Sequence, residues 1–295
     1  MIRIKNLTKD YGKNKGVFDL SFEVQNGETF GLLGPEGAGK TTVLQMLMGF
    51  VEPSSGRCFI HGKNCWKQAE NIKYFTGYLP ERTSLPSHMT GITFLRFLAE
   101  MKGIKSLERA LKAAERFELE MDNRIWKMSE EDKQKLAISC ALMHDPAVLL
   151  LDDPARGLEP PVQSRLMELI LEEKSRGKTI LICSRSFEEA ERICDRVGMI
   201  KRGLLVNLDD ISAVRASARK VFCVSFRDEQ EAVRFVRQES FEVRSMNGAQ
   251  LVISVSGNLK EFIKALGGYE VLELENVRQS LEEIFSHLYG GDFHV

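Results

Sequence analysis

Gly34-Pro35-Glu36-Gly37-Ala38-Gly39-Lys40-Thr41-Thr42 sets three glycines ahead of a lysine and two hydroxyls. Glycine adopts backbone conformations closed to other residues, so such a loop can turn its N–H groups inward onto phosphate oxygens. A largely apolar run, residues 28–33, leads into it, and a helix-like stretch, Thr42 to Met48, leads out. Strand, loop and helix in that order bring the positive end of a helix to the same anion. Lys40 supplies a mobile cation for β- and γ-phosphates, and Thr41 offers a hydroxyl to Mg²⁺. The pattern predicts a nucleoside triphosphate site.

About a hundred residues later, Val148-Leu-Leu-Leu-Asp152-Asp153-Pro154 is an apolar strand ending in two carboxylates. A buried strand can hold an acid such as Asp152 towards the Mg²⁺ of a bound triphosphate. Between the two motifs stands Met128-Ser129-Glu130-Glu131-Asp132-Lys133-Gln134, which reads as a helix start. Ser129 is a good N-cap, and three acids in the first turn complement the helix dipole.

The elements that must position these groups follow from the surrounding pattern. Residues 1–83 alternate short β-like runs with turns: Ile2 to Ile4, Phe18 to Val24, Thr29 to Leu33, Arg57 to Ile60 and Gly77 to Leu79. From 90 to 145 apolar residues recur at helical spacing, Ile92, Leu95, Leu98, Ala99 and Met101, then Leu107, Ala110, Leu111, Ala114 and Phe117. Strands return near Val148 to Leu151, Thr179 to Cys183 and Val197 to Ile200. Residues 209–219 read as a short linker. Beyond it come strand Val221 to Phe226, helix Glu229 to Arg237, strands Glu242 to Ser245 and Gln250 to Val255 joined across Asn247-Gly248, helix Leu259 to Leu266, strand Glu270 to Leu274 and helix Ser280 to Leu288. That βαββαβ order predicts a ferredoxin-like sandwich.

Composition narrows the partners. The chain of 295 residues has 43% hydrophobic and 28% charged residues and a net charge of −1, which gives no electrostatic reason to expect nucleic acid. Six scattered cysteines lack metal-like spacing and read as reduced thiols of a cytoplasmic protein. The start has no signal-peptide core, and no apolar run reaches the roughly 18 residues that span a bilayer, so no direct membrane insertion is expected.

With these motifs in order, residues 1–208 resemble the ATP-binding cassette family, specifically the nucleotide-binding subunits of ABC transporters. Lys9-Asp-Tyr11-Gly12 is similar to the family's aromatic loop, Gly77-Tyr-Leu-Pro-Glu81 to its Q-loop, Arg156-Gly-Leu-Glu159-Pro to its D-loop, and the segment around Arg185 to its H-loop. The second unit, ending in Gln279-Ser-Leu-Glu-Glu-Ile-Phe285, resembles the small C-terminal extension of bacterial export-type subunits. The resemblance implies an α/β P-loop NTPase cassette at 1–208, with a helical insert at about 84–146, and an α+β ferredoxin-like unit at 220–290. It implies ATP and Mg²⁺ as ligands, Tyr11 stacked on adenine, and Gly34 to Thr42 on the phosphates. Thr41, Glu81 and Asp152 would lie around the metal. A second ABC subunit, identical or different, would close over the nucleotide. A transmembrane permease would hold the chain at the inner face of the membrane.

Five motifs depart from the family pattern, all of which the resemblance places around the γ-phosphate. The Q-loop glutamine is Glu81, an acceptor only. The catalytic glutamate is Asp153, whose carboxylate reaches about 1.5 Å less far. The switch histidine is Arg185, always charged. The D-loop aspartate is Glu159. The signature glycines are Glu130 and Glu131 beside Ser129, which would face the partner's phosphate with like charge. Glu36 within the phosphate loop is a milder change that leaves the backbone donors in place. Intact binding with altered chemistry predicts an exporter subunit with slow or absent hydrolysis. A regulatory ATP sensor that does not transport is the alternative.

Overall fold

The described residues fall into two compact units, one up to Ile211 and one from Ser212 onward. The structure, a computed structural model, describes residues 1–217, 220–255, 259–277, 279–280 and 283–284. In the first unit, β1 (Ile2–Asp10) and β2 (Gly16–Val24) pair antiparallel and lead to β3 (Thr29–Leu33) and α1 (Lys40–Leu47). Then come β4 (Ser55–Ile60), β5 (Lys63–Asn64), α2 (Ala69–Phe75) and β6 (Thr76–Leu79). Three helices follow, α3 (Gly91–Lys102), α4 (Glu108–Arg116) and α5 (Glu130–Leu142). The unit continues through β7 (Val148–Asp152), α6 (Pro160–Ser175), β8 (Thr179–Ser184), α7 (Phe187–Ile193), β9 (Arg196–Lys201) and β10 (Leu204–Asp210).

A six-stranded sheet in the order β10-β9-β3-β8-β7-β6 forms the floor of the unit. Its strands run parallel except at the β10 edge. β3, β7 and β8 are buried at every position, as continuous apolar runs inside a parallel sheet require. A four-stranded sheet, β2-β1-β4-β5, is antiparallel. Apolar residues of both sheets join Val43, Leu44, Met46 and Leu47 of α1 in one core. Each such buried side chain contributes on the order of 2 kcal/mol, so the helix that begins at Lys40 is fixed on two sides.

The helical insert has its own core, with Leu95 and Ala99 of α3, Ala110 and Ala114 of α4, and Leu136 of α5. Ion pairs join it to the sheet-bearing part. Arg109 meets Glu173 on α6, and Arg116 meets Glu168 at 3.1 Å and Glu172 at 2.7 Å.

The stretch 209–219, read from its polar composition as a short linker, does hold the division between the two units, at 211/212, but residues 209–217 are strand and helix. Asp209 and Asp210 close β10, paired with Val197 and Arg196 of β9, and a helix, α8 (Ile211–Ser217), follows at once. The ladder to β9 overrides the weak strand propensity of the two acids. β5 and α2 also lie in stretches given no element from sequence, and β1 runs six residues past Ile4.

The second unit holds β11 (Lys220–Phe226), α9 (Glu229–Gln238), β12 (Glu242–Asn247), β13 (Gln250–Val255), α10 (Leu259–Leu266) and β14 (Val271–Val277). Its sheet order, β12-β13-β11-β14 with every neighbour antiparallel, is that of two interleaved β-α-β units in a ferredoxin-like sandwich. Gly248 takes φ +58 at the β12–β13 turn. Phe222, Phe226, Phe235 and Phe262 fill the core. Of the helix expected at 280–288, Glu283 and Ile284 are helical and most of the rest lies outside the described residues. All six cysteines are free thiols.

Candidate functional site

The loop from β3 to α1 is fixed by what its glycines touch. A Cβ on Gly34 would stand 2.2 Å from the carbonyl oxygen of Ile200, so only glycine lets the loop leave β3 this close to β9. Gly37 and Gly39 have φ of 74 and 108, conformations that side chains rarely adopt. Gly39 is the N-cap of α1 and makes no side-chain cap, which leaves the helix N–H groups for another acceptor.

Lys40 is 92% buried by side-chain and backbone packing, and its Nζ donates to the carbonyls of Gly34 at 2.5 Å and Pro35 at 2.9 Å. Burial lowers its pKa below the ordinary lysine value, opposed by the nearby Asp153 and Asp152 carboxylates. Thr41 hydrogen-bonds the Asp152 carboxylate across the floor of the site.

These groups line a cavity of about 890 Å³. It gathers residues 36–42 with Glu81 after β6, Asp152 and Asp153 at the end of β7, Arg185 after β8, and Tyr11 at its outer end. Gly34 and Pro35 back the loop and do not line the cavity; they act through the carbonyls that hold Lys40. Ser129, Glu130 and Glu131 also lie outside it. Tyr11 is half exposed, with Lys9 Nζ 5.5 Å from its ring centroid. Asn14, Lys15, Phe18, Arg202 and Leu204 join it there, a wall that motif reading missed. The signal was non-local: Gly203, in the β9–β10 turn, accepts from Phe18 N at 2.8 Å and donates to Ala38 O at 2.9 Å.

Four acids, Glu36, Glu81, Asp152 and Asp153, and four bases, Lys15, Lys40, Arg185 and Arg202, line the cavity. The side chains therefore provide no positive surplus for a polyphosphate. Its charge must be met by loop N–H groups, the α1 dipole and a cation. A magnesium ion fits the acceptor set. Asp152 is 1% exposed, and its Oδ2 has no hydrogen-bond partner. Among the described residues no three or more His, Cys, Asp or Glu are close enough together to hold a metal ion by themselves. This suits Mg²⁺, which takes one or two protein ligands and completes its shell with phosphate and water.

Burial pushes the Asp152 carboxyl up to about 6 from its ordinary 3.8, while the Thr41 hydrogen bond opposes this. A pKa raised in the folded state favours folding at low pH and penalises it as pH rises through about 6. Asp152→Asn is therefore expected to stabilise the nucleotide-free protein. The gain is absent below pH 3.8, grows up to pH 6 and is full above it, on the order of 3 kcal/mol. Thermal melts of both proteins from pH 4 to 8 check this; a variant no more stable at pH 8 than wild type contradicts it.

Asp153 sits in the left-handed region at φ 48, held by its N–H to Cys183 O at 2.8 Å and by Arg156 N on its own carbonyl at 3.0 Å. Its Oδ2 accepts from Arg185 Nη2 at 3.2 Å, and Arg185 Nη1 lies 3.8 Å from Glu36 Oε2. Ser184 sets the turn that carries Arg185. Its Oγ accepts from Ser186 N at 2.9 Å and donates to Glu189 Oε2 at 3.0 Å. Glu81 forms an ion pair with Arg156. At the start of α5, Ser129 Oγ accepts from Asp132 N at 3.0 Å and Asp132 returns an acceptor to Ser129 N, closing a capping box. Glu131 pairs with Lys135 at 2.6 Å and accepts from Glu159 N at 2.8 Å, whereas Glu130 is exposed and pairs with Lys133 at 2.7 Å.

A profile of the family described as ABC transporter matches residues 17–156. The bacitracin transport ATP-binding protein BcrA of Bacillus licheniformis is 32% identical over 300 residues, 99% of this chain and 98% of its own length. The Nod factor export ATP-binding protein I of Burkholderia orbicola is 36% identical over 207 residues, 68% of each chain. A solved structure of the ATP-binding subunit of an ABC transporter superposes with a TM-score of 0.68 at 28% identity, covering 73% of this chain and 92% of that one.

Proposed function

The chain belongs to the ABC transporter family, and from that membership we propose that it is the ATP-binding subunit of an exporter whose own hydrolysis is slow or absent. Similarity to a protein named for bacitracin transport supports the transport role, and similarity to one named for Nod factor export supports the direction. One observation carries the kinetic part of the reading: Asp153, the acid best placed to orient water, has an oxygen engaged by Arg185, while Lys40, Thr41 and Asp152 remain arranged for binding.

In this reading the loop N–H groups and Lys40 bind the phosphates, Lys40 exchanging its loop carbonyls for phosphate oxygens. Thr41 and Asp152 hold the metal. Mg²⁺ bound there would supply positive charge to offset that of the phosphates. Asp153 is the candidate base for water, shortened by one methylene and tied to a permanent cation. Arg185 can hold a terminal phosphate in the ground state, which favours binding over turnover. Tyr11 offers a ring face to the base.

We assign the partners as a membrane permease and a second ABC subunit. No helix among the described residues is long and apolar enough to cross a membrane. Co-purification tests the assignment. Tagged protein extracted in mild detergent should bring down a multi-spanning membrane protein; recovery without one favours the regulatory sensor.

In the closed pair, Glu130 and Glu131 would face the partner-bound nucleotide. Their replacement by glycine should strengthen ATP-dependent dimerisation, followed by light scattering. The same change removes two first-turn acids and the contact to Glu159, so melting should fall by an amount equivalent to about 1–2 kcal/mol. A folded double variant that associates no better than wild type reduces these acids to a helix cap.

A further inference from the structure

One side chain crosses the phosphate cavity from wall to wall. Arg185, after β8, reaches Asp153 at the end of β7 with Nη2 at 3.2 Å and Glu36 on the phosphate loop with Nη1 at 3.8 Å. Three separate segments thus share one guanidinium. Glu36 is highly exposed, its side chain 76% accessible, and no other cation is recorded beside it among the described residues. A guanidinium offers a planar fork that matches a carboxylate or a phosphate, and donors given to one are withheld from the other. The carboxylate of Glu36 stands on the loop whose N–H groups are oriented for anions, where it would otherwise repel phosphate.

We propose that Glu36 is an affinity-setting residue: its contact with Arg185 latches the free cradle, and nucleotide binds by taking Arg185 from it. The proposal rests on the reading of this cavity as a nucleotide site. Asp153 holds the other end of the guanidinium, so Arg185 stays across the cavity when Glu36 lets go. An incoming terminal phosphate then finds the cation already in place, at the cost of one exposed carboxylate contact. Exposed pairs of this kind are weak, which makes the latch one that a triphosphate can open.

Two mechanisms by which Glu36 could weaken binding make opposite predictions. If Glu36 acts by occupying Arg185, its removal helps only while Arg185 is present. If it acts by bare repulsion, removing Arg185 strips away its counter-charge and makes the benefit of removing Glu36 larger. A double-mutant cycle separates them.

Titrate wild type, Glu36→Gln, Arg185→Met and the double variant with Mg²⁺ and a non-hydrolysable ATP analogue, with Lys40→Ala as a control and melting followed throughout. The latch predicts that Glu36→Gln tightens binding about threefold to fivefold in wild type and less than about twofold beside Arg185→Met. Should Arg185→Met fail to fold, Arg185→Gln takes its place in the cycle. A benefit of Glu36→Gln that is equal or larger without Arg185, or absent in both backgrounds, overturns the latch alone. Wild type that binds no nucleotide overturns it together with the nucleotide reading.

Discussion

Lys40→Ala is expected to weaken Mg-ATP binding by at least about a hundredfold while leaving the protein folded. Two charge-assisted hydrogen bonds to phosphate oxygens are each worth about 1.5–3 kcal/mol, and every 1.4 kcal/mol is tenfold in affinity. No other side chain can replace them. Lys40 is fixed at the first position of α1, whose apolar face is buried in the core of two sheets. Arg185 stays tied to Asp153 when it meets a phosphate, so its contact adds to those of Lys40 and does not replace them. Removing a cation that burial already disfavours should cost little stability, so the loss will be in binding. Isothermal titration of wild type and variant checks this; equal affinities would remove the phosphate role from Lys40.

The second large effect is on chemistry. Asp153→Glu combined with Arg185→His should raise ATP turnover by about tenfold to a hundredfold when a second subunit with a glycine-containing signature completes the site. Misplacing a reacting group by about 1 Å can cost around a hundredfold, and aspartate falls short of glutamate by about that much or more. The ion pair adds a separate reason. Its guanidinium occupies an acceptor that an attacking water would use, and histidine in its place can be neutral. Asp153→Glu alone leaves a cation beside the longer acid, and Arg185→His alone leaves the acid short, so each single change should give less than the pair. Phosphate release under saturating Mg-ATP measures all three. A double variant that binds nucleotide but turns over no faster would place the limiting step elsewhere.

What could be read from sequence was what local chemistry decides. The phosphate loop, the apolar strand to Asp152 and the Ser129 cap depend on neighbours within a few residues. The β12–β13 turn at Gly248 is equally local. The end of β10 and α8 are illegible in sequence because Asp209, Asp210 and Ser212 favour turns in isolation, and only pairing with β9 makes residues 209–210 a strand. Part of the cavity wall was hidden for the same reason: Arg202 and Leu204 join it from either side of Gly203, whose backbone bonds Phe18 of β2 and Ala38 of the phosphate loop.

The altered motifs show the limit most clearly. Read singly, Glu81, Asp153, Arg185 and Glu131 were departures from a pattern. In space Glu81 meets Arg156, 75 residues away, Asp153 meets Arg185, 32 away, and Glu131 accepts from Glu159 N, 28 away. Each of these three carboxylates has a donor far along the chain, and pairing at such sequence separation leaves no trace in spacing.

Turnover by the wild-type protein under demonstrated full occupancy separates binding from hydrolysis. Purified protein is saturated with Mg-ATP, bound nucleotide is quantified, and phosphate release is followed in the same sample. We expect occupancy that depends on Lys40 and release slower than about 0.1 per second, a tenth of the lower end of ordinary enzyme rates. Release at about 1–10 per second from the same occupied protein would show that Asp153 and Arg185 do not hold the chemistry back.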